Sequence, residues 1–166
     1  MNLRKYFNEN TVYSIYCDMD SVLTDWNEAT ARLDPNFNNI LTNKERWGKI
    51  DAEGVKFWSN MKWLKDGRKL WDYIKDKNVR ILSSPGKNEK IGIQGKRDWL
   101  RKNISPVVAR FAIIVSKDKK KNYSNRNSIL IDDRKENIKG WISKGGIGIL
   151  HKNTTQTIKE LKELGI

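Results

Sequence analysis

Tyr13-Ser-Ile-Tyr-Cys-Asp18-Met-Asp20-Ser-Val-Leu-Thr-Asp25 carries the clearest signature of the fold. An apolar, β-prone run ends abruptly in two carboxylates spaced two apart. Side chains at i and i+2 of a strand share a face. Where the strand gives way to a loop, both can converge on one point beyond its C-terminal edge, which is where open α/β sheets bind ligands. Such a pair suits a hard divalent cation, or a nucleophile beside an acid/base. The arrangement argues for an enzyme.

Working outward, four further segments have the character of buried strands: Val79–Ser83, Phe111–Val115, Ser128–Asp132 and Gly146–Leu150. They are short continuous apolar runs rather than alternating ones, as expected of parallel strands covered on both faces. Helical patterns separate them. Lys69–Lys75 places Leu70, Tyr73 and Ile74 on one face. Asn88–Lys102 contributes Ile91, Trp99 and Leu100, although Gly92 and Gly95 weaken its first half. Arg134–Lys144 offers Ile138, Trp141 and Ile142 and stops at Gly145-Gly146, a C-terminal signal. Thr154–Leu164 closes the chain. This alternation implies right-handed crossovers and a doubly wound parallel α/β sheet of about five strands.

The segment from Asp25 to about Lys65 breaks the rhythm. It shows no strand pattern but carries Trp26, Phe37, Trp47, Phe57, Trp58 and Trp63. It reads as a small helical insertion (26–65) within a single domain spanning 1–166, emerging at the catalytic end of the first strand and placed to cap it. Most of its aromatics are expected to pack the insertion onto the main body.

Composition narrows the class. The 166 residues are 37% hydrophobic and 32% charged, enough for a single core and unlike a disordered chain. No apolar run approaches the roughly 20 residues that span a bilayer, so no membrane partner is expected. The first ten residues lack an apolar secretory core. One cysteine, Cys17, cannot form an internal disulfide, and a cytoplasmic location follows as the expectation. The net charge of +13 favours anionic substrates or polyanionic partners, or else reflects a lysine-rich solvated surface. Acidic residues interspersed along the chain weaken the case for a dedicated nucleic-acid face.

Four strand ends carry polar residues after an apolar run: Asp18 and Asp20; Ser83-Ser84-Pro85-Gly86; Ser116-Lys117-Asp118-Lys119; and Ile131-Asp132-Asp133-Arg134. Any one alone is as well explained by a turn, a helix cap or solvation. All four in order form a joint signal. On these motifs the sequence resembles a haloacid dehalogenase (HAD) superfamily phosphohydrolase, and within that superfamily it is most similar to the 5'(3')-deoxyribonucleotidase family. Asp18-Met-Asp20-Ser-Val-Leu-Thr-Asp25 stands for the family's Asp-Met-Asp-Gly-Val-Leu-Ala-Asp. Ser83-Ser84-Pro85 stands for its Thr-Ser-Pro, Ser116-Lys117-Asp118-Lys119 for its Thr-Arg-Asp-Lys, and Ile131-Asp132-Asp133-Arg134 repeats its Ile-Asp-Asp-Arg. Ser21 departs from a glycine, and Lys117 exchanges a planar two-pronged clamp for a point charge.

The resemblance implies a HAD-type Rossmann-like fold and a role for each motif. Asp18 would be the nucleophile and Asp20 the acid/base. Mg2+ would be held by Asp18, the backbone carbonyl of Asp20, and Asp132, with Asp133 in the same acidic cluster orienting the site. Ser83, Ser84, Lys117 and Lys119 would bind phosphoryl oxygens, and Phe57 or Trp58 would stack on a base. The implied function is a phosphomonoesterase acting on nucleoside monophosphates, deoxyribonucleotides foremost. The charge keeps two alternatives open: a phosphatase of polynucleotide 3'- or 5'-ends, and a catalytically silent nucleic-acid-binding module. Of the remaining residues, Asp25 reads as a helix N-cap, Cys17 as an inert buried thiol, and His151 as non-catalytic.

Overall fold

In a computed structural model, residues 11–39 and 41–166 are described; the first ten residues, read above as lacking a secretory core, lie outside them. Five strands, β1 (Ser14–Cys17), β2 (Val79–Ser83), β3 (Ile113–Ile114), β4 (Ser128–Asp132) and β5 (Ile147–Leu150), form one all-parallel sheet in the order β3-β2-β1-β4-β5. β1 is central, in register with β2 through Cys17 and Ile81 and with β4 through Cys17 and Ile131. Every residue of β4 is buried, as its unbroken apolar run anticipates. Reversal of strand order on either side of β1 leaves a crevice at the C-terminal ends of β1, β2 and β4.

The helices are α1 (Trp26–Leu33), α2 (Asn43–Glu53), α3 (Val55–Ser59), α4 (Gly67–Ile74), α5 (Glu89–Asn103), α6 (Pro106–Phe111), α7 (Lys135–Ile142) and α8 (Thr154–Glu163). A 3-10 helix, Lys117–Tyr123, precedes β4. Asp25 caps α1, accepting from Glu28 N at 3.0 Å. Thr42 and Glu45 form a full capping box on α2. Gly145, at φ +91, ends α7 as its sequence signals. Among the described residues, no helix is long and apolar enough to cross a membrane.

The third strand differs from its reading. Phe111 is not in it but ends α6 and is 64% exposed; β3 begins at Ile113. Ser105 caps α6 through Val108 N, and Pro106 occupies its first turn, where a missing N–H costs nothing. That local signal turns part of an apolar run into helix.

The helical segment 26–65 is tied at both ends. Asp25 N donates to Lys62 O at 2.9 Å, and Leu64 N donates to Leu23 O at 2.7 Å. Thr24 bridges Trp63. Its interior is aromatic: Phe57 is 1% exposed and meets Trp26 and Trp58 edge-on, with centroids 5.6 and 4.9 Å away. Trp99 on α5 is fully buried, packs edge-on against Trp63 at 4.8 Å and donates to Met61 O at 2.7 Å.

α5 forms over its whole length despite two glycines, because those glycines are its contact surface. A Cβ on Gly95 would lie 2.5 Å from Trp58 Cβ and 2.7 Å from Val55 O, and one on Gly92 would collide with the Pro85 carbonyl. The helical penalty of about 1 kcal/mol per glycine is offset by closeness. α5 thereby lies directly against α3 and the Ser83–Gly86 turn, and this approach places the next residue, Lys96.

Candidate active site

Asp18 is the first residue beyond β1, 5% exposed. Its backbone N donates to Ile131 O at 3.0 Å, extending the β1–β4 pairing to the sheet edge. Lys120 Nζ lies 3.1 Å from Asp18 Oδ1 and 2.8 Å from Asp132 Oδ2. The Lys120 ammonium is buried, which alone would lower its pKa, but Asp18 and Asp132 together raise it. Burial pushes the Asp18 carboxyl up; Lys120 and Lys96 outweigh it, and the net direction is down. Asp18 is therefore held ionised, as a nucleophile requires.

Asp20 is shifted the other way. Its Oδ2 accepts from Lys96 Nζ at 2.6 Å and its Oδ1 from Thr24 Oγ1 at 3.3 Å. Burial dominates, aided by the nearby Asp18 charge, so its carboxyl is raised in spite of Lys96. The two neighbouring carboxylates are thus pushed apart in pKa, the relation that acid/base chemistry exploits.

Asp132 is fully buried and fully engaged. It accepts from Arg134 N at 2.9 Å, from Asn137 Nδ2 at 3.0 and 2.9 Å through its two oxygens, and from Lys120. Burial, with Asp18 and then Asp132 beside it, pushes the Asp133 carboxyl up to about 7. Asp18, Asp132 and Asp133 each bring one carboxylate oxygen within 4.8 Å of the others. Crowded like charges of this kind suit a divalent cation.

Asp18, Asp20, Lys120, Asp133 and Asn137 line one cavity of about 520 Å³. Of the residues read from sequence, Asp18, Asp20, Ser84, Lys117, Trp58 and Asp133 line it. Ser84 Oγ is buried without a hydrogen-bond partner. Ser83 lies just beneath, its hydroxyl accepting from Lys96 Nζ at 2.8 Å.

Two placements differ from the sequence reading. Lys119 is exposed on the 3-10 helix and does not line the cavity; Lys120 is the buried cation. Within a run of three lysines, helical phase selects which one turns inward, and the motif spacing alone pointed one residue short. Phe57 likewise lies in the core of the insertion, away from the cavity. Trp26 and Trp47 line the cavity instead, beside Trp58. Lys96 and Asn137 were missed altogether. Lys96 does share the α5 face of Gly92 and Trp99, four and three residues away. A lysine in the middle of a buried helical stripe was the available signal.

A family model for the 5' nucleotidase, deoxy (pyrimidine), cytosolic type C protein matches residues 10–162. The chain belongs to this family. It is an enzyme, a nucleotidase-family phosphatase with a HAD-type fold. Among solved structures it is similar to a hydrolase from Streptococcus pneumoniae TIGR4, with a TM-score of 0.58 at 11% identity, covering 92% of this chain and 99% of that one. It is also similar to a HAD-family enzyme from Bacteroides thetaiotaomicron, crystallised with magnesium and inorganic phosphate. That match has a TM-score of 0.52 at 15% identity and covers 85% of this chain and 94% of the other. At such identities these two likenesses establish the fold. No curated protein matches the sequence.

Proposed function

We propose that this nucleotidase-family phosphatase is a Mg2+-dependent phosphomonoesterase of nucleoside monophosphates, deoxyribonucleotides foremost, working through a phosphorylated Asp18. One observation carries the reading. Asp18, held ionised by Lys120, and Asp20, with its carboxyl raised, floor one cavity with Trp26, Trp47 and Trp58 along its lining.

Asp18 attacks phosphorus, forming an Asp18 O–P bond as the bond to the leaving oxygen breaks. Asp20 gives its proton to the leaving alkoxide, then takes one from the water that cleaves the acyl phosphate. Such acid/base work is typically worth about 10²–10⁴-fold. Lys120, the unpartnered Ser84 hydroxyl and the Lys96 ammonium stabilise the transferring phosphoryl oxygens. Lys117 adds charge at the mouth.

The donor set fits a hard cation: the Asp18 and Asp133 carboxylates, with the backbone carbonyl of Asp20 as the family resemblance implies. Asp132 serves better as the anchor of Lys120 than as a ligand, since four hydrogen bonds already engage its oxygens. Mg2+, when bound, supplies Lewis-acid neutralisation of phosphoryl charge; the magnesium and phosphate in the Bacteroides enzyme support its inclusion.

The helical segment 26–65 acts as the cap and gives the leaving group its aromatic wall. A cytosolic setting accompanies the family's description and the single, buried, unpaired Cys17.

The test is phosphate release with Mg2+ over 5'- and 3'-mononucleotides, phosphosugars and 3'-phosphorylated oligonucleotides. Deoxynucleoside monophosphates should give the highest kcat/KM. A clear preference for oligonucleotide ends would replace this reading with the strand-end phosphatase, and for phosphosugars with a sugar phosphatase.

A further inference from the structure

We infer that Ser21 is a specificity-determining contact, its hydroxyl hydrogen-bonding the sugar beside the scissile oxygen. The inference rests on the nucleotidase reading above. Ser21 adopts φ +62, one of two non-glycine residues with positive φ among those described. A side chain with a Cβ adopts that left-handed conformation at an energetic cost that glycine escapes. The other such residue, Asn78, uses its side chain locally, donating to Ser14 Oγ at 3.0 Å. Ser21 does nothing comparable.

Its turn is held by backbone hydrogen bonds and by the Thr24 Oγ1–Asp20 Oδ1 contact, none of which uses the Ser21 hydroxyl. Ser21 N donates to Thr24 O at 2.9 Å, while Met19 O accepts from the backbone N–H groups of Val22, Leu23 and Thr24. The hydroxyl contributes nothing to that loop, and among the described residues it has no hydrogen-bond partner. Glycine would therefore build the turn at lower cost. Yet Ser21 is partly exposed and lines the cavity, immediately after the acid/base and close in sequence to Trp26 on the same lining. Strain kept at a site lining, without any internal use of the side chain, points outward to a ligand. Asp20 serves the bridging oxygen, so the group within reach of its neighbour is the sugar, whose ring oxygen and hydroxyl can pair with a serine hydroxyl.

Ser21→Ala keeps the strained Cβ and removes the hydroxyl; Ser21→Gly removes both. Each is assayed on a deoxynucleoside monophosphate and on p-nitrophenyl phosphate, whose leaving group has no sugar. For both variants the ratio of kcat/KM for nucleotide to that for p-nitrophenyl phosphate should fall about 3–10-fold, the value of one neutral hydrogen bond. The Tm should rise only in Ser21→Gly. An unchanged ratio in Ser21→Ala, with wild-type nucleotide turnover intact, would overturn this inference alone. Wild-type turnover of p-nitrophenyl phosphate but of no nucleotide would overturn the nucleotidase reading and this one with it.

Discussion

Lys96 Nζ sits 2.6 Å from Asp20 Oδ2, an ion pair between a helix lysine and a loop carboxylate, sealed by the Trp58 ring 4.8 Å away. The same ammonium donates to Ser83 Oγ. One cation thus links the acid/base, the end of β2 and the insertion. Lys96→Met should lower kcat/KM about 10²–10³-fold, the range for losing one preorganised charge donor, with a folded circular-dichroism spectrum. Activity within a few-fold of wild type would remove Lys96 from the machinery.

Lys120 and Lys119 are adjacent but unequal. Lys120 bridges Asp18 and Asp132, whereas Lys119 is solvated. Lys120→Met should abolish measurable turnover, because Asp18 and Asp132 would face each other without the intervening cation. Lys119→Met should alter kcat/KM little. Reversed effects in a steady-state assay would restore Lys119 as the functional residue.

The aromatics divide into wall and core. Trp47 lines the cavity, and stacking on a base is worth roughly 1–3 kcal/mol. Trp47→Ala should raise KM for nucleotides well above its effect on p-nitrophenyl phosphate. Phe57→Ala should instead cost about 3–5 kcal/mol of stability, as truncation of a buried Phe does. Chemical denaturation and the two KM values separate these outcomes.

His151 gives a pH signature in stability. Its ring is buried, its Nδ1 pairs with Thr157 Oγ1 at 2.8 Å, and its Nε2 has no partner. Burial lowers its pKa below the ordinary value. The unfolded chain therefore takes up a proton below about pH 6.5 that the folded chain refuses, and stability falls as pH drops through that window. His151→Gln should lose less Tm than wild type between about pH 7 and 5. Parallel Tm profiles would show that His151 titrates normally.

Much of this was legible in the sequence, and the reasons for the rest are physical. The carboxylate pair Asp18/Asp20 and the Asp132–Asp133 pair could be read because strand ends in a parallel sheet share one edge. All five strands could be read from unbroken apolar runs; only the start of the third is displaced, because a serine cap and Pro106 claim Phe111 for a helix. Lys96 escaped because Gly92 and Gly95 look like helix breakers until Pro85 and Trp58 lie against them. The preference for Lys120 over Lys119 depends on the phase of one 3-10 turn, which no motif spacing encodes. Which carboxylate of the Asp132–Asp133 pair remains available to a cation depends on partners such as Asn137 that only the fold brings near.

The proposed chemistry stands on Asp18 as the nucleophile and Asp20 as its acid/base. The most direct measurement is the intact mass of Asp20→Asn after mixing with p-nitrophenyl phosphate and Mg2+. That leaving group departs without help, while hydrolysis of the acyl phosphate still needs the missing base. An added mass of one phosphoryl group is expected, mapped by peptide sequencing to Asp18 and absent from the Asp18→Asn, Asp20→Asn double variant. No adduct on an enzyme that still releases p-nitrophenolate, or an adduct on any other residue, would contradict it.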